Sequence, residues 1–445
     1  MTTSKSGSGL ILSLNSGSSS LKISLYRRVS AGHIEDTPDA NPVTLLLISS
    51  IESISSEPTF SFSVADGDSI SPDTRSVKNE AAPDIKDHAT AFAHFLDYLK
   101  SEALIEREEI VHVCHRIVHG GDYFKPITIN AESYHYIERL SDLAPLHNGA
   151  ALTIIEACIE ALPKANSIAY FDTAFHHYMP QHIRSCAINQ EMAHKKGLRK
   201  YGFHGLSYAY ILRAVARHLG KPPSETTLIV LHLGSGASAC GIQAGKSLDT
   251  SMGLTPVSGL PGATRSGAID PTLIFHYTHR AGRLSHEKSL ARNVSVTTAE
   301  EILNTKAGWK ALTGTADWRG VTRMWADGEP AGVLAFELFV DRILNYIGSY
   351  WLKMGGADKV DALVFSGGIG ERSVELRKIV AEKCTCLGFA VDEGRNEGVD
   401  GVKGKVVEIG KEPMKVLVCR TDEQLEMARE CALEPKFWQG QMDKS

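Results

Sequence analysis

The sequence has few cysteines, no long apolar run and no excess of basic residues. Its 445 residues include 8 cysteines, 47 lysines and arginines, and 52 aspartates and glutamates, so the net charge is −5. The cysteines are scattered without a Cys-x-x-Cys pair, which indicates free thiols and a cytoplasmic location. No stretch approaches the ~20 apolar residues of a membrane-spanning helix, and the N-terminus lacks the apolar core of a secretory signal. The acidic balance disfavours nucleic acid and membranes as partners.

Several common catalytic motifs are also absent. The chain has no Gly-x-x-x-x-Gly-Lys-Ser/Thr loop, no Gly-x-Gly-x-x-Gly opening a Rossmann unit, no Gly-x-Ser-x-Gly elbow after a strand and no His-Glu-x-x-His. These absences disfavour P-loop, dinucleotide-binding, hydrolase and zinc-protease folds. Nucleotide phosphates would instead be held by hairpins rich in glycine and serine.

Two similar strand–loop–strand segments open the two halves of the chain. In the first, Leu10–Leu14 and Leu21–Tyr26 flank a Ser/Gly loop, and in the second, Thr227–Leu233 and Ala239–Gln243 flank Gly234–Ser238. One such match is weak evidence, because glycine in a hairpin turn is common. Two matches in corresponding places predict a duplicated α/β unit whose halves face one cleft.

The region between about 28 and 87 is rich in polar residues. Two apolar runs, Val43–Ile48 and Phe60–Val64, predict two strands within long polar loops. The apolar residues between Phe92 and Leu99 recur at i, i+3, i+4 and i+7, which predicts an amphipathic helix. Because nothing in the polar region has the pattern of a catalytic site, we expect that much of residues 30–85 can be deleted without loss of the chemistry.

Glycine-rich loops carry the candidate anion-binding residues. Lys22 ends the loop Asn15-Ser-Gly-Ser-Ser-Ser-Leu-Lys22, Arg116 lies in His115-Arg-Ile-Val-His-Gly-Gly121, and Arg265 lies in the loop from Gly259 to Pro271. Arginine can bind a carboxylate or a phosphate through two parallel hydrogen bonds. From these segments alone, the alternatives are solvated hairpins and surface ion pairs.

An acidic residue and two histidines complete the candidate set. Asp172 follows the strand predicted at Ile168–Tyr170, which suits a magnesium ligand, a base or a helix N-cap. His204 lies between glycines and aromatic residues, where it could stabilise transition-state charge or be a core histidine. His147 precedes a helix and by itself is more typical of a structural residue. Phosphoryl transfer to a small acid uses such a set, because cations bind the transferring oxygens and carboxylates hold Mg²⁺.

Two strand-to-helix junctions follow near the C-terminus. Ala362–Phe365 leads into Ser366-Gly-Gly-Ile-Gly-Glu-Arg372, and Val416–Cys419 leads into Arg420-Thr-Asp-Glu423. Helix N-termini preceded by glycine expose backbone N–H groups that suit phosphate. At the second junction, Thr421 is predicted as the N-cap, with Gln424 completing a capping box.

Taken in order, these segments resemble the acetate kinase (acetokinase) family from about residue 10 to 435. The matching strings begin at Asn15, His115, Leu143, Phe171, Tyr201, His232, Asp249, Thr264, Phe365 and Thr421. The polar region near 28–87 resembles an insertion relative to bacterial members and, with the extended N-terminus, indicates a eukaryotic, fungal type.

The resemblance implies an α/β fold of the acetate and sugar kinase, heat-shock chaperone and actin superfamily. Two duplicated ribonuclease H-like domains would surround a central cleft, with residues 9–171 plus 421–445 in the N-terminal domain and 172–420 in the nucleotide-binding C-terminal domain. The implied activity is reversible in-line phosphoryl transfer between ATP and acetate, giving acetyl phosphate and ADP. Mg²⁺, or alternatively Mn²⁺, would be the cofactor, and the chain would form a homodimer.

The resemblance also lends roles to matching positions. The implied catalytic residues are Arg116, His147, Asp172, His204 and Arg265. The implied acetate-binding residues are Arg116, Val118, Leu146, Phe203 and Pro256, and the implied magnesium-side residues are Asn15 and Glu423. The implied ATP-binding residues are Ser18, Ser20, Lys22, His232, Leu233, Gly234, Ser235, Gly236, Asp317, Trp318, Arg319, Gly368, Ile369, Gly370, Glu371 and Arg372.

The chemistry of acetate fits this residue set. Carboxyl pKa values lie near ~4, so acetate is ionised at pH 7 and needs no base to activate it. Repulsion between the carboxylate and the phosphate is the main barrier, which arginines and Mg²⁺ reduce. This favours a metal-linked role for Asp172 over proton abstraction.

Several positions depart from the family's usual residues, mostly on the nucleotide side. Ser235 replaces Asn, Leu206 and Tyr208 replace Thr and His, Arg372 replaces Asn, and Asp422 replaces Asn. ATP is favoured as donor because the glycines are retained, while pyrophosphate, used by one relative, is the alternative. Propionate or butyrate could replace acetate, since one methylene changes specificity by only ~1–3 kcal/mol. A nucleotide-driven binding protein of the same fold would not need Arg116, His204 and Arg265 together, so their retention favours the enzyme.

Overall fold

The computed structural model describes residues 9–17, 19–29, 41–65, 76–140, 145–274, 284–286 and 295–439. Among them, the chain divides into two compact units. Unit 1 contains the residues up to Phe171 and those from Asp422 onward, and unit 2 contains those from Asp172 to Thr421.

Unit 1 is built on an eight-stranded mixed sheet. The strands are β1 (Leu10–Ser16), β2 (Leu21–Arg28), β3 (Val43–Glu52), β4 (Thr59–Val64), β5 (Val77–Ala81), β6 (Ile110–Ile117), β7 (Ile127–Thr128) and β8 (Asn166–Phe171). Their order is β5-β4-β3-β2-β1-β6-β8-β7. The helices are α1 (His88–Ala103), α2 (Ala131–Leu140), α3 (Pro145–Ala161) and the C-terminal α14 (Glu423–Leu433). The two strands predicted at Val43–Ile48 and Phe60–Val64, and the amphipathic helix that follows them, are therefore confirmed as β3, β4 and α1.

The polar region contributes three strands to this sheet, which corrects the expectation that it is dispensable. Leu47 and Ile51 of β3, and Phe60 and Phe62 of β4, are buried in the core of unit 1. The third strand, β5, was missed because its sequence, Val-Lys-Asn-Glu-Ala, lacks the apolar alternation of a half-buried strand and is largely exposed. Deletion of β3 and β4 would therefore remove part of the core.

Replacing Phe62 with alanine is expected to lower the free energy of unfolding by ~3–5 kcal/mol, because a buried aromatic ring leaves a cavity. Phe62 is 1% exposed, and its ring centroid lies 4.8 Å from that of Tyr98. Urea denaturation measures the change. Ile48→Ala on the neighbouring strand is the control, since Ile48 is 48% exposed. A loss for Phe62→Ala no larger than for the control would contradict the packing.

Unit 2 is built on a six-stranded sheet with the order β11-β10-β9-β14-β16-β15. These strands are β9 (Leu228–Leu233), β10 (Ala237–Gln243), β11 (Lys246–Thr250), β14 (Ala362–Ser366), β15 (Val406–Glu408) and β16 (Lys415–Cys419), and a separate hairpin pairs β12 (Leu284–His286) with β13 (Ser295–Thr297). The helices are α4 (Gln181–Arg184), α5 (Gln190–Lys196), α6 (Gly205–His218), α7 (Thr298–Thr305), α8 (Gly308–Thr313), α9 (Trp318–Ala326), α10 (Pro330–Met354), α11 (Gly367–Arg372), α12 (Val374–Lys383) and α13 (Glu393–Glu397).

The two sheets repeat one topology. In unit 1, the antiparallel strands β3-β2-β1 continue into β6 and β8, which run parallel to β1. In unit 2, the antiparallel strands β11-β10-β9 continue into β14 and β16, which run parallel to β9. The predicted duplication is therefore confirmed.

The structure gives the state of the cysteines and the character of the helices. All eight cysteines, which lie within the described ranges, are free thiols. Within those same ranges, no helix combines the length and the apolar character needed to cross a bilayer.

Candidate active site

Three polar side chains meet at the carboxyl ends of β1 and β6 in unit 1. Asn15 lies on β1, Arg116 on the adjacent parallel strand β6, and Glu423 opens α14. Asn15 Nδ2 donates to Glu423 Oε2 at 2.7 Å, and Arg116 Nη1 donates to Asn15 Oδ1 at 3.1 Å. Arg116 Nη1 also lies 2.8 Å from Glu423 Oε2, and these side chains are only 16% and 12% exposed. We call this group the Asn15–Arg116–Glu423 cluster.

The start of α14 differs from the predicted capping box. Asp422 is the N-cap, and its Oδ1 accepts a hydrogen bond from Leu425 N at 2.9 Å. The prediction that Thr421 caps this helix is therefore wrong, and Gln424 instead donates to Ser13 O at 3.1 Å. The shift places Glu423 in the first helical turn, where the helix dipole stabilises a carboxylate.

The serine-rich loop of unit 1 is a tight hairpin beside this cluster. Gly17 N donates to Ser20 O at 2.8 Å. Lys22 is exposed and lies opposite Asn15 in the β1–β2 register, so both side chains are on one face of the sheet. Ser20 is half-buried, and Ser18 lies outside the described residues.

The predicted acetate-binding residues of unit 1 are only partly described. Val118 is half-buried and comes directly after β6. Leu146 and His147 lie in the first turn of α3, but their side chains are outside the described part of the chain. Their roles therefore stay predictions.

In unit 2, a close contact between the backbone at Asp172 and the backbone at Gly205 positions Asp172 and His204. Asp172 is fully buried, and its carbonyl oxygen accepts a hydrogen bond from Gly205 N at 3.0 Å. A Cβ atom at position 205 would lie 2.0 Å from that oxygen, so only glycine fits there. His204, directly before it, has φ of 59°. A non-glycine residue in this left-handed conformation is strained, which is typical of functional sites.

His204 and Arg265 both face Gly236 in the turn between β9 and β10. A Cβ atom added at Gly236 would lie 3.0 Å from Arg265 Nη1 and 3.9 Å from His204 Nε2. On its other side, His204 Nδ1 lies 2.8 Å from Ser238 Oγ. The rings of His204 and His232 stack with centroids 4.3 Å apart. The structure thus brings an arginine, two histidines and the predicted nucleotide turn together within unit 2.

Backbone hydrogen bonds fix the loop that carries Arg265. Ala263 N donates to Ser235 O at 2.8 Å, and Ala307 N donates to Thr264 O at 3.1 Å. The guanidinium is therefore presented by a loop tied on both sides to unit 2, which is the arrangement expected of a functional loop on a rigid scaffold.

His176 supports the predicted pocket residue Phe203 and was missed by the sequence analysis. Its Nε2 donates to Phe203 O at 3.0 Å, and its Nδ1 accepts from Ser247 Oγ at 2.7 Å. Burial lowers the pKa of His176 to about 4, so the imidazole is neutral at pH 7. Its place directly after the Phe171–Phe175 motif was the available signal. Phe203 and Pro256 are both buried.

The helix α11 contains the predicted ATP-binding residues 368–372. Glu371 Oε1 accepts hydrogen bonds from Gly367 N at 3.1 Å and from Thr421 N at 3.3 Å. Burial raises the pKa of Glu371, and the Thr421 N–H bond partly opposes this rise. The carboxyl group therefore links the start of α11 to the end of β16.

Arg377, which sequence reasoning did not single out, holds the other end of α11. Its Nη1 donates to Gly370 O at 3.0 Å and to Glu371 O at 2.7 Å, and its Nε donates to Asn396 Oδ1 at 2.6 Å. Burial lowers the pKa of Arg377 to about 10, so it stays charged at pH 7. Only tertiary structure distinguishes this arginine, 1% exposed, from the many surface arginines of the sequence.

The predicted ATP-binding segment 317–319 divides into surface and core residues. Asp317 is the N-cap of α9 and pairs with Arg319, whose side chain is 89% exposed. Trp318 is 6% exposed and packs on Phe336 and Phe339 in the core of unit 2. The ATP-binding roles of these three residues stay predictions.

Comparison with known proteins defines the class. An acetate kinase structure from Porphyromonas gingivalis is 32% identical, with a TM-score of 0.75, and covers 95% of this chain and 98% of that chain. A propionate kinase structure from Francisella tularensis subsp. tularensis SCHU S4 is 33% identical, with a TM-score of 0.76 and the same coverage. The fold is therefore the predicted one, with duplicated ribonuclease H-like domains, and the protein is a kinase of that fold class.

The family follows from sequence. A curated fungal relative, the probable acetate kinase of Emericella nidulans, is 46% identical over 429 residues, or 95% of this chain and 97% of the relative. The sequence model of the Acetokinase family matches residues 10–429. The chain belongs to the acetokinase family. This confirms the predicted family and the predicted enzyme class, a phosphotransferase with a carboxyl group as acceptor.

Proposed function

We propose that the protein is an acetate kinase that reversibly transfers the γ-phosphoryl group of ATP to acetate by direct in-line displacement. The observation that supports this most is the convergence of Arg265 Nη1 and His204 Nε2 on Gly236. A guanidinium and an imidazole N–H beside a glycine turn can bind a phosphoryl group whose charge is spread over its equatorial oxygens.

Arg116 provides the second cation of the proposed mechanism. Its ion pair with Glu423 and its hydrogen bond to Asn15 fix the orientation of the guanidinium. An oriented guanidinium can bind the acetate carboxylate and lower its repulsion from the donor. Because acetate is already ionised, the residues need only to bind, orient and neutralise, and no base is required.

The residues near Glu423 fit a magnesium ion through the chemistry of their donors. Asn15 and Glu423 supply an amide oxygen and a carboxylate, the hard oxygen ligands that Mg²⁺ prefers. Among the described residues, no group of three or more His, Cys, Asp or Glu side chains could hold a metal. Mg²⁺ usually binds through one or two carboxylates, with phosphates and water completing its coordination. When bound, Mg²⁺ would neutralise phosphate charge. For Asp172 of unit 2 we propose a metal-linked role in preference to proton abstraction.

The nucleotide side supports ATP over pyrophosphate. Gly234 and Gly236 frame the β9–β10 turn, and α11 is held at both ends by Glu371 and Arg377. Because glycine has no side chain, the retained glycines leave room for an adenosine group, which pyrophosphate does not need. Ser235 offers one hydroxyl where an amide is usual, so contact with the phosphates is looser there.

Propionate kinase is the second candidate. The propionate kinase from Francisella tularensis matches this chain with a TM-score of 0.76, against 0.75 for the acetate kinase. Phe203 and Pro256, both buried in unit 2, are the proposed contacts of the acid. One methylene changes the preference between the two acids by only ~1–3 kcal/mol.

The experiment tests each candidate acid with each candidate phosphoryl donor. Acetate, propionate and butyrate are each incubated with Mg²⁺ and either ATP or pyrophosphate, and acyl phosphate is trapped as the hydroxamate. We expect the highest kcat/KM with acetate and ATP. Turnover with pyrophosphate but not with ATP would contradict the proposed donor. The proposed acid substrate would be unaffected by that result. ATP hydrolysis without hydroxamate would indicate instead a nucleotide-driven binding protein of the same fold.

The remaining assignments follow from the same proposal. We assign residues 9–171 plus 421–445 and residues 172–420 to the two ribonuclease H-like domains. The homodimer and the cytoplasmic location stay predictions.

A further inference from the structure

Two buried hydroxyl groups form a hydrogen-bonded row with the imidazole of His204. The Tyr208 hydroxyl on α6 lies 2.5 Å from Ser238 Oγ on β10. Ser238 Oγ in turn lies 2.8 Å from His204 Nδ1. Tyr208 and Ser238 are both 0% exposed, so these two hydroxyl groups are shielded from solvent, whereas His204 is half-buried.

In the hydrogen bond between Tyr208 and Ser238, one assignment of donor and acceptor is favoured. Burial raises the pKa of Tyr208 well above its ordinary value and the negative charge of Asp172 adds to this, while the hydrogen bond with Ser238 partly opposes it, so the phenol keeps its hydrogen. Among the described residues, the Tyr208 hydroxyl has Ser238 Oγ as its hydrogen-bond partner. A buried O–H without an acceptor is costly, so Tyr208 donates to Ser238.

Ser238 then directs its own hydrogen to the imidazole. A serine hydroxyl has one hydrogen and two acceptor lone pairs, so Ser238 can accept from Tyr208 and donate to His204 Nδ1 at the same time. With Nδ1 as acceptor, neutral His204 carries its hydrogen on Nε2. This is the nitrogen on the side of Gly236 and Arg265.

We propose that Tyr208 and Ser238 are positioning residues that hold His204 as the Nε2–H tautomer, with this N–H directed at the phosphoryl group in transfer. The assignment rests on the proposed function for its consequence in catalysis. The opposite tautomer would present a lone pair to phosphoryl oxygens and repel them. A phenol at position 208 fixes the direction more firmly than the family's usual histidine, because imidazole can donate or accept.

The tautomer of His204 can be measured directly in the protein without substrates. Histidine is labelled with ¹⁵N, and the His204 signals are assigned by their loss in His204→Gln. We expect wild-type protein near neutral pH to show an unprotonated Nδ1 and a protonated Nε2, and Tyr208→Phe to show a mixture of the two tautomers. In the acyl phosphate assay, Tyr208→Phe should lower kcat by roughly 5- to 10-fold, the value of one hydrogen bond, with KM for acetate little changed.

Tyr350→Phe is the matched control. Tyr350 is a 1% exposed phenol of the same unit that donates to Ala239 O at 3.3 Å, so its variant also loses one buried hydroxyl but should keep the wild-type tautomer. If Tyr208→Phe does not fold, Ser238→Ala tests the same row. An Nδ1–H tautomer in wild type, or unchanged signals in both variants, would overturn the proposal. These spectra do not depend on the acid or donor, so they separate this proposal from the proposed function.

Discussion

Replacing Arg265 with alanine is expected to lower the rate of acyl phosphate formation by ~10²–10³-fold, the loss typical of removing one fixed donor to transition-state charge. The side chain faces Gly236, whereas the loop is held by backbone bonds such as Ala263 N to Ser235 O. The variant should therefore fold normally and keep its melting temperature. Steady-state hydroxamate kinetics and a thermal melt measure the two properties.

Two further variants make the Arg265 test specific. Arg265→Lys keeps the charge but loses the planar fork, so it should recover only part of the rate. Arg342→Ala removes an exposed arginine of the same unit that pairs with the exposed Asp341. Because an exposed ion pair contributes little, this variant should leave the rate unchanged. Near-normal turnover of Arg265→Ala with an unaltered melt would refute the role of this residue.

Replacing Glu423 with glutamine is expected to reduce activity ~10–100-fold and to raise the Mg²⁺ concentration needed for half-maximal rate. The substitution removes the charge that pairs with Arg116 at 2.8 Å. It also places an amide where Asn15 Nδ2 now donates at 2.7 Å. The Asn15–Arg116–Glu423 cluster should lose its fixed geometry and one hard oxygen ligand together. Initial rates across a Mg²⁺ titration at saturating ATP measure the effect.

Glu434→Gln is the control for this prediction. Glu434 lies just beyond the other end of α14, where its carboxylate accepts a long hydrogen bond from Lys436 N. Its neutralisation should not alter the Mg²⁺ dependence. If Glu423→Gln and Glu434→Gln had the same Mg²⁺ dependence as wild type, Glu423 could not be a magnesium-side residue.

The strands were predictable from sequence because they are short apolar runs bounded by polar turns. Val43–Ile48 and Phe60–Val64 correspond to β3 and β4, although each strand extends further at one end. The strand β5 was not predictable, since its side chains are mostly exposed and it forms only by pairing with β4. The cap of α14 was displaced by one residue because Thr421 and Asp422 are both good N-caps and tertiary contacts decide between them.

Candidate site residues were predictable singly, but their partners were not. The motif resemblance identified Asn15, Arg116 and Glu423, but no spacing indicates that the three side chains share hydrogen bonds. Buried polar residues such as His176 and Arg377 were missed because, in sequence, a buried polar residue with hydrogen-bond partners resembles an exposed one. Their partners include backbone carbonyls, which every residue carries and no motif marks.

Because the loop that carries Arg265 is anchored, the entropy cost of ordering it does not reduce the affinity for substrate. Its backbone bonds to Ser235 and Ala307 form within the chain, so the entropy lost in ordering this loop belongs to folding and not to substrate association. Binding at Arg265 therefore carries a smaller entropic penalty than binding that must first order a loop. The charge is also preorganised, so it needs little reorientation as the transition state forms. A substitution that loosened this anchoring, far from any substrate, would act first on the entropy of binding.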